Sequence, residues 1–187
     1  MSDKIFFTTP YGEAVFPWLN RPDSEYNADG EYHVKVRVPI EEAADFVAQM
    51  EAARDAFWET LTPKQQKTHT KVDCGELELD EDGEKTGNLL FKCKMRANVT
   101  YTNRQGQKES FSQKPEIVDE DKNTVQESVW GGSILRCRGE MIPYAMAAYK
   151  TVGVSLRLAG VQVKELKTGT QQGGFGDDGG TIPGAAR

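Results

Sequence analysis

The sequence predicts a mainly β chain: a small antiparallel barrel that carries one amphipathic helix and ends in a flexible C-terminal tail. At least five stretches alternate apolar and polar residues with a period of two, whereas only one repeats apolar residues at helical spacing. From Thr168 onward the composition turns to Gly, Gln and Asp, with Phe175 the one large aromatic. The chain has 187 residues, 37% of them apolar, which is enough for one sizeable core. Residues 1–168 therefore read as one domain and 169–187 as a Gly-rich tail.

Taken in order, Trp18 and Tyr26 fall in a Pro- and Asn-rich N-terminal stretch near Arg21, read as loop. Residues 31 to 39 then place Tyr32, Val34, Val36 and Val38 on one side and Glu31, His33, Lys35 and Arg37 on the other, a half-buried strand. After Pro39, Ala43, Phe46, Val47, Met50, Ala53, Phe57, Trp58 and Leu61 recur every three or four residues. Acidic residues fill the opposite face, two of them in the first turn, and Thr62-Pro63 ends the helix. A polar stretch, 62 to 71, and a short piece around Leu77 and Leu79 lead into the acidic turn Asp80-Glu81-Asp82-Gly83.

Leu89 to Thr102 reads as the longest strand, its odd positions running Leu89, Phe91, Cys93, Met95, Ala97, Val99, Tyr101 and its even positions including Lys92, Lys94 and Arg96. The turn Asn103-Arg104-Gln105-Gly106 returns it through 108 to 112 as a hairpin. Leu135, Cys137 and Met141 oppose Arg136, Arg138 and Glu140 in a further strand. In the last strand Val152, Val154, Leu156 and Leu158 alternate, and the phase slips by one across Ala159-Gly160 to Val161 and Val163. A one-residue slip at a glycine predicts a bulge that bends the strand, as barrel closure requires. One helix, bent strands and long loops suit an oligonucleotide-binding (OB) type barrel, with a jelly roll as the alternative.

The net charge of −6 hides a segregated arrangement. Residues 41 to 88 sum to −8, whereas 89 to 114 sum to +5 and 133 to 168 to +4, so an acidic protein can still present a basic face. Lys35 and Arg37, then Lys92, Lys94 and Arg96, then Arg136 and Arg138 would form one contiguous cationic surface if their strands were neighbours, and such a surface can track a phosphate backbone. Single strands also require flat groups for stacking. Phe91 and Tyr101 share the core-facing parity of their strand and Phe57 and Trp58 the apolar helix face, which leaves Trp18, Tyr26, Trp130 and Tyr144 as candidate stackers.

Catalytic signatures are lacking. His33 and His69 have no partners at metal-ligand spacing, no Cys cluster or G-x-S-x-G is present, and Gly83-Glu84-Lys85-Thr86 fails as a phosphate loop because its Lys does not follow a Gly in a strand-to-helix setting. The acidic turn fails as a calcium loop, since position twelve would be Leu89. No metal, no cofactor and no enzymatic activity are expected. The three cysteines, Cys74, Cys93 and Cys137, read as reduced thiols, and neither a membrane span nor a secretory leader is visible.

The stretch FFTTPYGEAVFPWLNRPDSEYNADGEYHVKVRVP, followed by an acidic helix, and the late VSLRLAGVQVKEL before FGDD resemble single-stranded DNA-binding proteins of short-tailed bacteriophages. The resemblance runs through most of the chain but is weak from 62 to 132. It implies an OB-fold protein that coats single-stranded DNA in phage replication and recombination, in the host cytoplasm, without catalysis, and that forms homodimers. It also implies contact with phage replication proteins through an acidic C-terminal tail. This sequence departs there, because after Asp177 and Asp178 it runs on to TIPGAAR. The alternative reading is a phage structural, jelly-roll-like assembly protein, which would have no need of bases sorted onto strand faces. A nuclease would need clustered carboxylates in a metal site.

Overall fold

The structure, a computed structural model, describes residues 3–25 and 27–168; Tyr26 and the expected tail, 169–187, lie outside the described residues. The strands are β1 (Ile5–Thr8), β2 (Gly12–Asp23), β3 (Glu31–Pro39), β4 (Thr70–Lys71), β5 (Glu76–Leu79), β6 (Lys85–Arg96), β7 (Asn98–Thr102), β8 (Lys108–Ser112), β9 (Glu116–Asp119), β10 (Ile134–Met146) and β11 (Thr151–Glu165). Two helices, α1 (Ile40–Trp58) and α2 (Pro63–Thr68), lie between β3 and β4.

Five strand positions close on themselves. β2 pairs with β3, β3 with β6, β6 in parallel with β11, β11 with β10, and β10 returns to β2 and β1. Counting β1 and β2 as one broken strand, this is the OB barrel order 1-2-3-5-4-1. The parallel β6–β11 seam excludes the jelly roll, which is built from antiparallel sheets. β11 is the organising strand: along its edge it meets β4 at Thr151–Val152, β6 at Leu156–Arg157 and β9 at 160–163, all in parallel.

The apolar parity of each strand fills the barrel, with Val34, Val36, Val38, Phe91, Cys93, Leu135, Cys137, Met141, Leu156 and Leu158 all buried. α1 closes one end through Ala43, Phe46, Met50 and Ala53, and the Phe46 ring lies 5.9 Å from Phe7 and 5.0 Å from Phe91. Burying an aromatic side chain of this kind contributes about 2–3 kcal/mol. The expected bulge is present: Arg138 pairs with Gly160 but Gly139 with Leu158, so Ala159 is the extra residue. Gly139 is required opposite it, because a Cβ there would stand 1.7 Å from the Arg157 carbonyl oxygen. The three thiols are free and buried. The Cys93 thiol, hydrogen-bonded to Cys137 in the core, is held well above the usual thiol range by that bond and by burial.

Three features differ from the sequence expectations. The N-terminal stretch read as loop is β2, whose alternation is broken by register shifts around Phe16 (φ 49°) and Pro17. A second helix follows α1: Thr62 does not merely end the first helix but caps the next, its hydroxyl accepting from the Gln65 N–H at 3.2 Å while the Gln65 side chain accepts from the Thr62 N–H at 3.0 Å. The long strand from 89 breaks at Ala97. β3 begins at Glu31, opposite Arg96, and offers nothing to pair with beyond it; Ala97 instead donates to the Gly30 carbonyl, and β7 and β8 leave as a separate two-stranded sheet.

Candidate functional site

The outer face of β3 and β6 is a ladder of polar pairs, Glu31 opposite Arg96, His33 opposite Lys94 and Lys35 opposite Lys92. Register extends it both ways. Trp18 lies beside His33 on β2, and Arg157 beside Lys94 on β11, so one row across the barrel wall reads Trp18, His33, Lys94, Arg157.

The basic residues singled out in the sequence divide into two kinds. Lys35 binds Glu76 at 3.0 Å, Arg138 binds Glu116 at 2.8 Å, and Arg37 is gripped by Glu78 at 2.6 Å and also by Glu13. Arg136 donates to Gln162 at 2.9 Å, and its guanidinium lies 4.6 Å from the Tyr11 ring centre. Lys92, Lys94 and Arg96 form no side-chain hydrogen bond or ion pair among the described residues, and their side chains are exposed. The arginines of β10 are not continuous with this stripe, since β11 stands between β10 and β6. The contiguous surface thus comprises β3 and β6 and continues to Arg157, which makes one loose contact of 3.7 Å to Glu140.

Electrostatics reinforce the division. Glu78 is pulled down to about 2, chiefly by its hydrogen bonds from Arg37 and further by Asn88 and Thr86, and Arg37 is correspondingly raised. That pair is a closed unit with little charge left to offer a ligand. Asp23 is likewise lowered, first by the Glu25 backbone N–H and then by His33, 3.1 Å away.

β6 and β11 share only the pairs Cys93–Leu156 and Lys94–Arg157. A groove opens on each side of this short seam. One, about 600 Å³, is lined by Lys94, Arg96, Arg157, Val99 and Phe111; the other, about 330 Å³, by Lys92, Lys94, Leu90 and Tyr144. Lys94 belongs to both. Tyr144 lies over Gly153, where an added Cβ would come within 2.6 Å of its hydroxyl oxygen.

Trp18 and Trp130 face one cleft of about 580 Å³ together with Phe16 and Arg21. The Arg21 guanidinium sits 5.1 Å from the Trp18 ring centre, and Trp130 and Phe16 are 46% and 76% exposed. The Trp130 loop is pinned to β2, Asn20 Oδ1 accepting from the Val129 N–H at 2.8 Å and the Ala14 carbonyl from the Gly132 N–H at 2.9 Å. An unpaired cationic stripe flanked by accessible rings can hold a polyanion that also carries flat apolar groups. Among the described residues no cluster of three or more His, Cys, Asp or Glu side chains is placed to hold a metal ion, and no helix is long and apolar enough to cross a membrane.

Sequence reasoning missed Arg157, Phe16, Tyr101 and Phe111. Arg157 was legible as a base on the polar parity of the last strand, between Leu156 and Leu158. Tyr101 was assigned to the core by extending the parity of β6, yet the break at Ala97 leaves it 45% exposed. No local signal marks Phe16, whose exposure follows from the register shift between Val15 and Trp18 in β2.

No protein-family model matches the chain, and no curated protein does. Solved structures do. The crystal structure of gp2.5, a single-stranded DNA-binding protein encoded by bacteriophage T7, superposes with a TM-score of 0.66 at 21% identity, over 87% of this chain and 93% of that one. The single-stranded DNA-binding protein of bacteriophage Enc34 in complex with ssDNA matches with a TM-score of 0.57 at 10% identity, covering 87% of each chain. A second structure of the Enc34 protein matches over 98% of both chains with a TM-score of 0.51. At these identities the likeness establishes the fold.

Proposed function

We propose that this chain binds single-stranded DNA largely without regard to sequence, coating it during phage DNA replication and recombination in the host cytoplasm, and that it does no catalysis. The observation that carries the reading is the unpaired stripe of Lys92, Lys94 and Arg96 on the strand 2–3 face of an OB barrel, the face on which such barrels bind oligonucleotides. Phosphates lie along the stripe and Arg157, and bases stack in the Trp18 and Trp130 cleft and on Tyr144. Lys35, Arg37 and Arg138, their charge largely matched by carboxylates, and Arg136, held by neutral partners, border this path and add to its field. The shared fold with the T7 protein and with the Enc34 protein solved on ssDNA supports the reading, as do the N-terminal and late segments noted above. Pairing of two copies, and contact with phage replication proteins through residues 169–187, belong to the same proposal.

The test is a fluorescence-anisotropy titration with labelled single-stranded and duplex DNA at two salt concentrations. About five neutralised phosphates give a slope of log affinity against log salt near −3.5 on single strands. Preference for duplex, or binding that ignores salt, contradicts the reading.

A further inference from the structure

The hairpin of β7 and β8 has no place in the barrel. Among the described residues its strands pair only with each other, and at its base it is anchored by Gln113 N–H to the Ala97 carbonyl (2.9 Å), Gln113 Nε2 to the Arg96 carbonyl (2.9 Å) and Asn98 Nδ2 to the Asp29 carbonyl (2.8 Å). The register sorts its side chains. Val99 opposes Phe111 and Tyr101 opposes Glu109 on one face, while Asn98, Thr100, Thr102, Lys108, Ser110 and Ser112 occupy the other.

The first face is apolar without a core behind it. Phe111 and Tyr101 are 49% and 45% exposed, and their rings meet edge to face at 6.1 Å. The Tyr101 hydroxyl donates to Glu109 Oε2 at 2.6 Å, and Asn103 Nδ2 holds the other oxygen of that carboxylate at 2.8 Å, so the ring is braced. Cross-strand packing accounts for the two rings meeting. It does not account for Val99 and Phe111 forming a wall of the 600 Å³ groove that contains Lys94, Arg96 and Arg157.

We infer that this hairpin makes the groove selective for unpaired strands, with Phe111, braced by Tyr101, as the stacking surface opposite the Lys94, Arg96 and Arg157 cations. The inference rests on the single-stranded DNA reading above. Cations on one side require a polyanion, and an aromatic wall on the other requires flat apolar faces. Single-stranded DNA offers both. A duplex offers phosphates, but its base faces are covered by their neighbours, so it engages the cations and leaves the wall unused. The wall therefore adds affinity for one form only.

The experiment measures single-stranded and duplex affinities of the full chain, of Phe111→Ala, of Tyr101→Ala and of Phe111→Trp. Phe111→Ala is expected to weaken single-strand binding between about fivefold and a hundredfold at an unchanged salt slope, leave duplex binding where it was, and reduce the binding-induced quenching of a 2-aminopurine base placed in the oligonucleotide. Tyr101→Ala loses less, and Phe111→Trp restores affinity and quenching, which a folding defect would not. Equal losses on both DNA forms, or no loss on either, overturn the hairpin's role while the single-strand reading stands. A parent chain with no preference for single strands overturns both.

Discussion

β3 and β6 lie side by side in the barrel and present bases at the same alternate positions, yet their charges are in different states. On β3, Lys35 and Arg37 form ion pairs with Glu76, Glu78 and Glu13; on β6, Lys92, Lys94 and Arg96 form none among the described residues, Lys92 reaching Asp23 only through its field and Arg96 standing opposite Glu31 without a contact. The difference arises from what flanks each strand. β5 lies along the end of β6 from Lys85 to Leu90 and turns its glutamates toward β3, whereas the other half of β6 faces the open seam with β11. Periodicity reveals which face a base occupies. Whether that base is a structural ion-pair member or a free cation is decided by residues some forty positions away.

Neutralising the β6 set should have the largest effect. Lys92, Lys94 and Arg96 changed together to Gln should lower single-strand affinity about a hundredfold near 0.1 M salt and reduce the salt slope by about two units. Thermal stability should barely move, because exposed strand charges contribute little to folding. A circular-dichroism melt beside the titration checks both halves.

Truncating the rings separates stacking from charge. Trp18→Ala and Trp130→Ala should each cost roughly 1–3 kcal/mol of binding with the salt slope intact, since no cation is removed. If either variant loses melting temperature and keeps its affinity, that ring belongs to the scaffold.

The architecture was legible wherever one face of an element is buried. Val34 to Val38, Phe91 to Met95, Leu135 to Met141 and the slip at Ala159 all follow the period-two rule, and α1 follows the helical one. It failed at β2, where Pro17, Pro22 and the turn at Phe16 interrupt the alternation, and at Ala97, where parity continues smoothly through a change of sheet. The site was half legible. Its cations could be named from the sequence, but the pairing of Trp18 with Trp130 across 112 positions, and the separation of β10 from β6 by β11, are properties of the closed barrel. The capping box Thr62-Pro63-Lys64-Gln65 was a local signal that a polar composition concealed.

On the paired side the expected effects are on stability. Glu78 titrates at about 2 in the folded protein against an ordinary value of 4.5, so its contribution is present in full above pH 4.5 and is lost as pH falls toward 2. Urea melts across that window should show the loss, and Glu78→Gln should flatten the profile. Arg37→Gln, which leaves the mostly buried Glu78 carboxylate with Thr86 and Asn88 but without its cationic partner, should destabilise by about 1–2 kcal/mol at neutral pH. Smallest of all, Arg138→Gln removes an ion pair more than half exposed on both sides and should change stability by less than about 1 kcal/mol.

On the proposed function, free cations, and not all cations on the sheet, hold the DNA. The direct measurement compares the salt slope of single-strand binding for two charge-matched variants, Lys92→Gln/Lys94→Gln/Arg96→Gln and Lys35→Gln/Arg37→Gln/Arg138→Gln. The first should lose about two units of slope and the second less than about half a unit, because its cations release few counterions when already paired. Equal losses in the two variants, or a larger loss in the second, would contradict it.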